Sequence, residues 1–165
     1  MYHSGDLVVY GVHGVCRMLE LETKLVNRKK TEYYVLSPLG NDQARFYVPT
    51  QNASAVSKLK PILDRNGVIE LLSSLDFTKD VWIVDENRRK AYYKELMNSG
   101  DRGDLICMIR CLHLHRSEQF AQGRKFHLSD ENFLRDAQKL IGSELSIALD
   151  IPIEEVRSFI HNTVK

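Results

Sequence analysis

Apolar and polar positions change rhythm once along the chain, near Pro49. Before it, short runs rich in β-branched and aromatic residues predict strands: Leu7-Val8-Val9-Tyr10, Val15 to Leu21, Tyr33-Tyr34-Val35-Leu36 and Phe46-Tyr47-Val48. Turn-forming segments separate them, at Val12-His13-Gly14, Asn27-Arg28-Lys29-Lys30 and Gly40-Asn41-Asp42. Several short antiparallel strands with no helix-length pattern between them predict a small, strongly curved barrel.

Beyond Pro49 the spacing becomes helical. Ile69, Leu71, Leu72 and Leu75 predict a first short helix. A charged segment from Asp85 to Asn98 follows, stopped by Ser99-Gly100, where glycine suits a helix C-cap. Asp101 caps the next helix, whose Leu105, Met108, Ile109 and Leu112 repeat at i, i+3, i+4 and i+7. Gly123 breaks it. Ser129-Asp130-Glu131 opens another, with Leu134, Ala137, Ile141, Leu145 and Ala148 on one face and acids in the first turn to suit the helix dipole. Pro152 starts the last. The expected class is α+β, with a β domain over residues 1–58 and a compact helical domain over 59–165.

Composition narrows the function. At 165 residues and 43% hydrophobic, the chain has material for a real core. Twenty-three bases against 22 acids leave a net charge of +1, which excludes a binder that holds nucleic acid by bulk charge. The bases cluster instead, in Asn87-Arg88-Arg89-Lys90 with Lys94, and more loosely in Arg110, His113, His115, Arg116, Arg124 and Lys125. No apolar run approaches the roughly 20 residues of a membrane helix. The first residues lack a signal peptide's layout, so the expected location is the cytoplasm and no membrane contact is expected. Three cysteines, Cys16, Cys107 and Cys111, make no secreted disulfide framework.

Each candidate constellation has a plain structural reading beside its chemical one. Cys107, Cys111 and His115 share a helical stripe, but one helix cannot wrap a zinc tetrahedron and no second ligand pair exists. His113, His115, His127 and Glu118 make an acid–base site on paper, without a nucleophile elbow, P-loop or zincin motif to support it. No catalytic residue, metal, cofactor or small-molecule ligand is therefore expected. On the helix from Asp85, Asn87, Lys90 and Lys94 share a face flanked by Arg88 and Arg89, a set able to grip phosphates. Taken alone, that stretch reads better as a solvated charged face. Trp82, the single tryptophan, lies within Val81-Trp82-Ile83-Val84; it can wedge against a base step or anchor a core, and packing is the expectation.

Gly5-Asp6-Leu7-Val8-Val9-Tyr10-Gly11-Val12-His13-Gly14-Val15 resembles the opening of the CarD/CdnL family of bacterial RNA polymerase-binding regulators, a module shared with transcription–repair coupling factors. The likeness continues through Glu32 to Leu36, Phe46 to Ala53, Asn87-Arg88-Arg89, Ser99-Gly100-Asp101, Gly123-Arg124-Lys125 and the Ser129 to Leu149 helix. The resemblance implies a Tudor-like β domain docking on the polymerase β subunit. It also implies a helical domain reaching promoter DNA at the upstream edge of the bubble and stabilising the open complex. The function expected is non-enzymatic transcription regulation. The alternatives are a polymerase adaptor without functional DNA contact and, more distantly, a metal-dependent or hydrolytic enzyme using the His/Cys cluster.

Carried over by position, the resemblance assigns polymerase binding to Lys24 and Tyr47, with Arg45 or the Arg28-Lys29-Lys30 turn as compensating charge. It assigns DNA binding to Asn87, Arg88, Arg89, Lys90, Lys94 and Trp82. The sequence departs from the family at four places. Gly11 stands where proline is usual and Cys16 where glycine is. Tyr47 stands where some relatives have arginine, and Glu86 where some have a wedge tryptophan.

Overall fold

A computed structural model describes residues 1–78 and 82–163. The chain divides into two compact units, Met1–Ile62 and Leu63–Lys165.

The first unit is a five-stranded antiparallel sheet, β1 (Leu7–Tyr10), β2 (Val15–Val26), β3 (Lys29–Pro38), β4 (Phe46–Pro49) and β5 (Leu59–Pro61), in the order β4-β3-β2-β1-β5. Among the described residues β4 and β5 do not pair, so the hydrogen-bond ladder is open where the sequence led to the expectation of a small barrel. The long β2–β3 pair turns on Asn27 and Arg28 alone, both at positive φ (51° and 62°). Two consecutive left-handed residues make the type I′ turn that matches strand twist. A register shift between Met18 and Glu20 bends β2. Val8, Cys16, Met18, Leu36, Val48 and Leu59 form the core beneath one face. The single-turn α1 (Ala53–Val56), capped by Asn52 through the Ala55 N–H at 3.1 Å, leads into β5. Leu59–Pro61 pairs with β1, and the first compact unit runs to Ile62.

The second unit is α2 (Arg65–Ser74), α3 (Glu86–Ser99), α4 (Arg102–Ala121), α5 (Leu128–Leu149) and α6 (Ile153–Thr163). Three of these helices begin on an aspartate whose carboxylate accepts a first-turn N–H: Asp64 from Gly67 at 2.7 Å, Asp85 from Arg88 at 2.8 Å and Asp101 from Asp104 at 3.0 Å. Gly100 takes the left-handed C-cap position after α3, at φ 61°. α5 packs against all four other helices, and Leu134, Ala137, Ile141 and Leu145 carry its apolar face into the core. Val81, beside the tryptophan in the sequence, lies outside the described residues.

Candidate functional site

In the first unit, alternation along the strands sorts the side chains. Leu36 and Val48 face the core, so Tyr33, Val35 and Tyr47 stand on the opposite face, joined by Glu22 and Lys24 from β2. There Lys24 Nζ lies 3.5 Å from the centre of the Tyr47 ring and 3.6 Å from Glu22 Oε1. Tyr33 meets Tyr47 edge-on at 6.3 Å between centroids. The two strand positions assigned to polymerase contact thus form one cluster, half-exposed and held by weak, solvent-screened interactions. Arg45 is engaged elsewhere. Its Nη1 donates to Ser37 Oγ at 3.2 Å, to the Ala44 carbonyl at 2.8 Å and to the Asp42 carbonyl, so it braces the β3–β4 loop.

In the second unit, α3 presents Asn87, Arg88 and Lys94 to solvent. Lys90 pairs with Glu86 at 2.6 Å, one turn earlier, and that hydrogen bond lowers the Glu86 carboxyl below its usual range. Arg89 behaves differently from its neighbours. It is 1% exposed and grips Asp130 of α5, itself 0% exposed, through Nε to Oδ1 at 3.0 Å and Nη2 to Oδ2 at 2.7 Å. Its Nη1 donates to the carbonyls of Ile83 at 2.8 Å and Val84 at 3.2 Å. Hydrogen bonding to Asp130 raises the guanidinium's already high pKa, so Arg89 keeps its charge in spite of its burial. No donor of this fork points to solvent as a phosphate ligand would require. Arg89, assigned to DNA from the sequence, is buried in this structure, and its guanidinium ties α3, α5 and the segment before α3 together.

Trp82 belongs to the same node. The Arg89 guanidinium sits 4.2 Å above its ring, and His115 of α4 stacks on it at 4.0 Å between centroids and 17° between planes. The half-buried indole packs against the helical core. The indole thus contacts one guanidinium and one imidazole of its own unit, as the packing expectation has it.

The cysteine and histidine stripe is dispersed into packing. Cys111 Sγ lies 3.9 Å from Tyr93 Oη, His115 is taken by Trp82, and His113 Nε2 meets Gln138 Nε2 at 2.6 Å. Burial raises the Cys107 thiol and pushes that of Cys16 up to about 11. Among the described residues no three His, Cys, Asp or Glu side chains are placed to hold a metal, and no helix is long and apolar enough to cross a membrane.

Sequence reasoning missed Asp130 and His115 as partners of the α3 cluster. The signal available was an acid in the first turn of a helix, which also fits a dipole role; nothing in one sequence links it to an arginine 41 residues earlier. Residues 2–60 match the family of the CarD-like/TRCF RID domain, a span that runs from the first residues of the sheet unit into β5 and includes Lys24, Arg45 and Tyr47. The sheet unit of this chain belongs to the CarD-like/TRCF RID domain family.

Proposed function

We propose that this protein is a non-enzymatic transcription regulator that binds RNA polymerase through its sheet unit and contacts promoter DNA through α3. The observation that carries the reading is the family match over residues 2–60, on a sheet that gathers Lys24 and Tyr47 on one exposed face. Docking on the β subunit would use that face, with Lys24 setting charge complementarity and Tyr47 and Tyr33 supplying contact area. The DNA-facing set is Asn87, Arg88, Lys90 and Lys94, with Arg89 and Trp82 as the residues that position them. Tethering explains how such a small basic face suffices: a bound sheet unit raises the local concentration of α3 at the bubble edge, where the open complex would be held. A role at bacterial RNA polymerase would put the protein in the cytoplasm.

The test is the lifetime of open complexes formed by purified polymerase on one promoter, with the protein titrated in. Arg88→Glu is expected to shorten that lifetime toward the protein-free value while polymerase binding stays intact. Each phosphate contact removed also flattens the salt dependence of DNA binding by about one unit of logarithmic slope. An unchanged lifetime with Arg88→Glu would leave the adaptor reading, which the burial of Arg89 favours.

A further inference from the structure

A groove of about 410 Å³ runs between α3 and α5, within the roughly 300–1,000 Å³ of ligand pockets. Three chemistries meet on its walls. Ala91 and Phe133 are apolar, and the Phe133 ring is fixed edge-on against buried Tyr93, 5.7 Å between centroids and 73° between planes. Asn132 brings an amide with both donor and acceptor, and Ser129 brings a hydroxyl whose oxygen is buried with no hydrogen-bond partner among the described residues. Lys90 and Lys94 bring ammonium groups. The acids nearby are each matched, Glu86 by Lys90 at 2.6 Å and the lining Asp136 by Arg135 at 3.2 Å, which leaves Lys94 as the net positive charge.

An aromatic wall, a two-way amide and an ammonium group together fit the three parts of a nucleotide: ring face, base edge and phosphate. A base inside a duplex has its faces stacked and its pairing edge occupied, so it cannot enter such a groove. We infer that the α3–α5 groove seats one unpaired nucleotide of a DNA strand, its base against Phe133, its edge on Asn132 and its phosphate at Lys94. The inference rests on the DNA-contacting reading of α3 and adds the form of DNA that is held. A protein that captures an unpaired nucleotide favours melted over closed promoter DNA through binding alone.

Fluorescence anisotropy with a short labelled single-stranded oligodeoxynucleotide and its duplex, at low salt, tests this on the full chain. The single strand is expected to bind more tightly than the duplex. Phe133→Leu should weaken single-strand binding about tenfold, the scale of one base–aromatic stack. Asn132→Ala and Lys94→Ala, whose folding a thermal melt verifies, should weaken it with little change for the duplex. A deoxynucleoside monophosphate should compete where inorganic phosphate at the same concentration does not. Equal binding of both DNA forms, equal loss on both forms, or equal competition by inorganic phosphate would each overturn the groove assignment. Arg88→Glu separates this from the parent reading. If it shortens open-complex lifetime while the groove variants change nothing, the groove fails alone; if neither matters, DNA contact by α3 fails with it.

Discussion

Two of the protein's cation-over-aromatic pairs have opposite character. Lys24 rests on Tyr47 in the sheet unit with its side chain 39% exposed, while Arg89 rests on Trp82 in the helical unit with its side chain 2% exposed. The chemistry is the same and the environment decides its use. An exposed lysine above a tyrosine gains little from the contact and can exchange it for a partner's carboxylate at small cost. A buried guanidinium has lost its water, and every donor must be answered within the protein. A basic residue is therefore available for recognition only where the fold leaves its hydration intact, and Arg89, one of the two arginines flanking the α3 face, is buried against Asp130.

The largest test of that contrast is Asp130→Ala. It strands the buried Arg89 charge and should destabilise the protein by about 3–5 kcal/mol in urea titration. The double variant Arg89→Met with Asp130→Leu should recover much of the loss, because apolar replacement of both partners removes the desolvation penalty along with the attraction. If the double variant is no better than the single, the guanidinium's bonds to the Ile83 and Val84 carbonyls are the dominant contribution instead. Trp82→Ala comes next, at about 3 kcal/mol, the lower end for tryptophan truncation because the ring is half-buried. A normal melt with a shortened open-complex lifetime would return the indole to DNA. Lys24→Glu should leave stability within about 0.5 kcal/mol yet weaken polymerase docking in a pull-down with residues 1–62. A large drop in melting temperature would make the two pairs alike after all.

The smallest expected effect concerns pH. Burial, with Arg157 and Arg116 nearby, holds the His113 pKa below its usual value, against the opposing pull of Glu131. The unfolded chain then takes up a proton first as pH falls, so stability is full above pH 6.5 and declines between that value and the lower folded pKa. His113→Gln should flatten melting temperature over that interval, measured at constant ionic strength.

Helix boundaries were legible because their signals are local. Asp85, Asp101 and Gly100 each act within one turn of where they stand. β5 was not, since three residues ending in proline carry no alternation, and only pairing with β1 makes them a strand. The β2 and β3 ends toward Asn27 were hidden for a related reason: Glu22 to Val26 and Lys29 to Glu32 are polar or exposed on both faces, so no buried side marks the period. The same limit applies to the site. The basic character of α3 is written in Arg88, Lys90 and Lys94, whereas the burial of Arg89 is a property of Asp130, a residue whose distance in sequence erases any pattern.

Two arginines of the helical unit, the buried Arg89 and the half-buried Arg102, find their carboxylates on α5. Arg89 waits for Asp130, and Arg102 of α4 waits for Glu144, which it meets at 2.7 Å. During synthesis the ribosome delivers the arginines first. The sheet unit has its whole core once β5 is made, but α2, α3 and α4 emerge with two unanswered cations and no central helix to pack on. Folding of this region is then gated by the arrival of α5, in the last quarter of the chain, and a nascent chain stalled within α5 exposes apolar faces that chaperones recognise. A codon change that slows translation there would lengthen that vulnerable interval without altering a single residue of the finished protein.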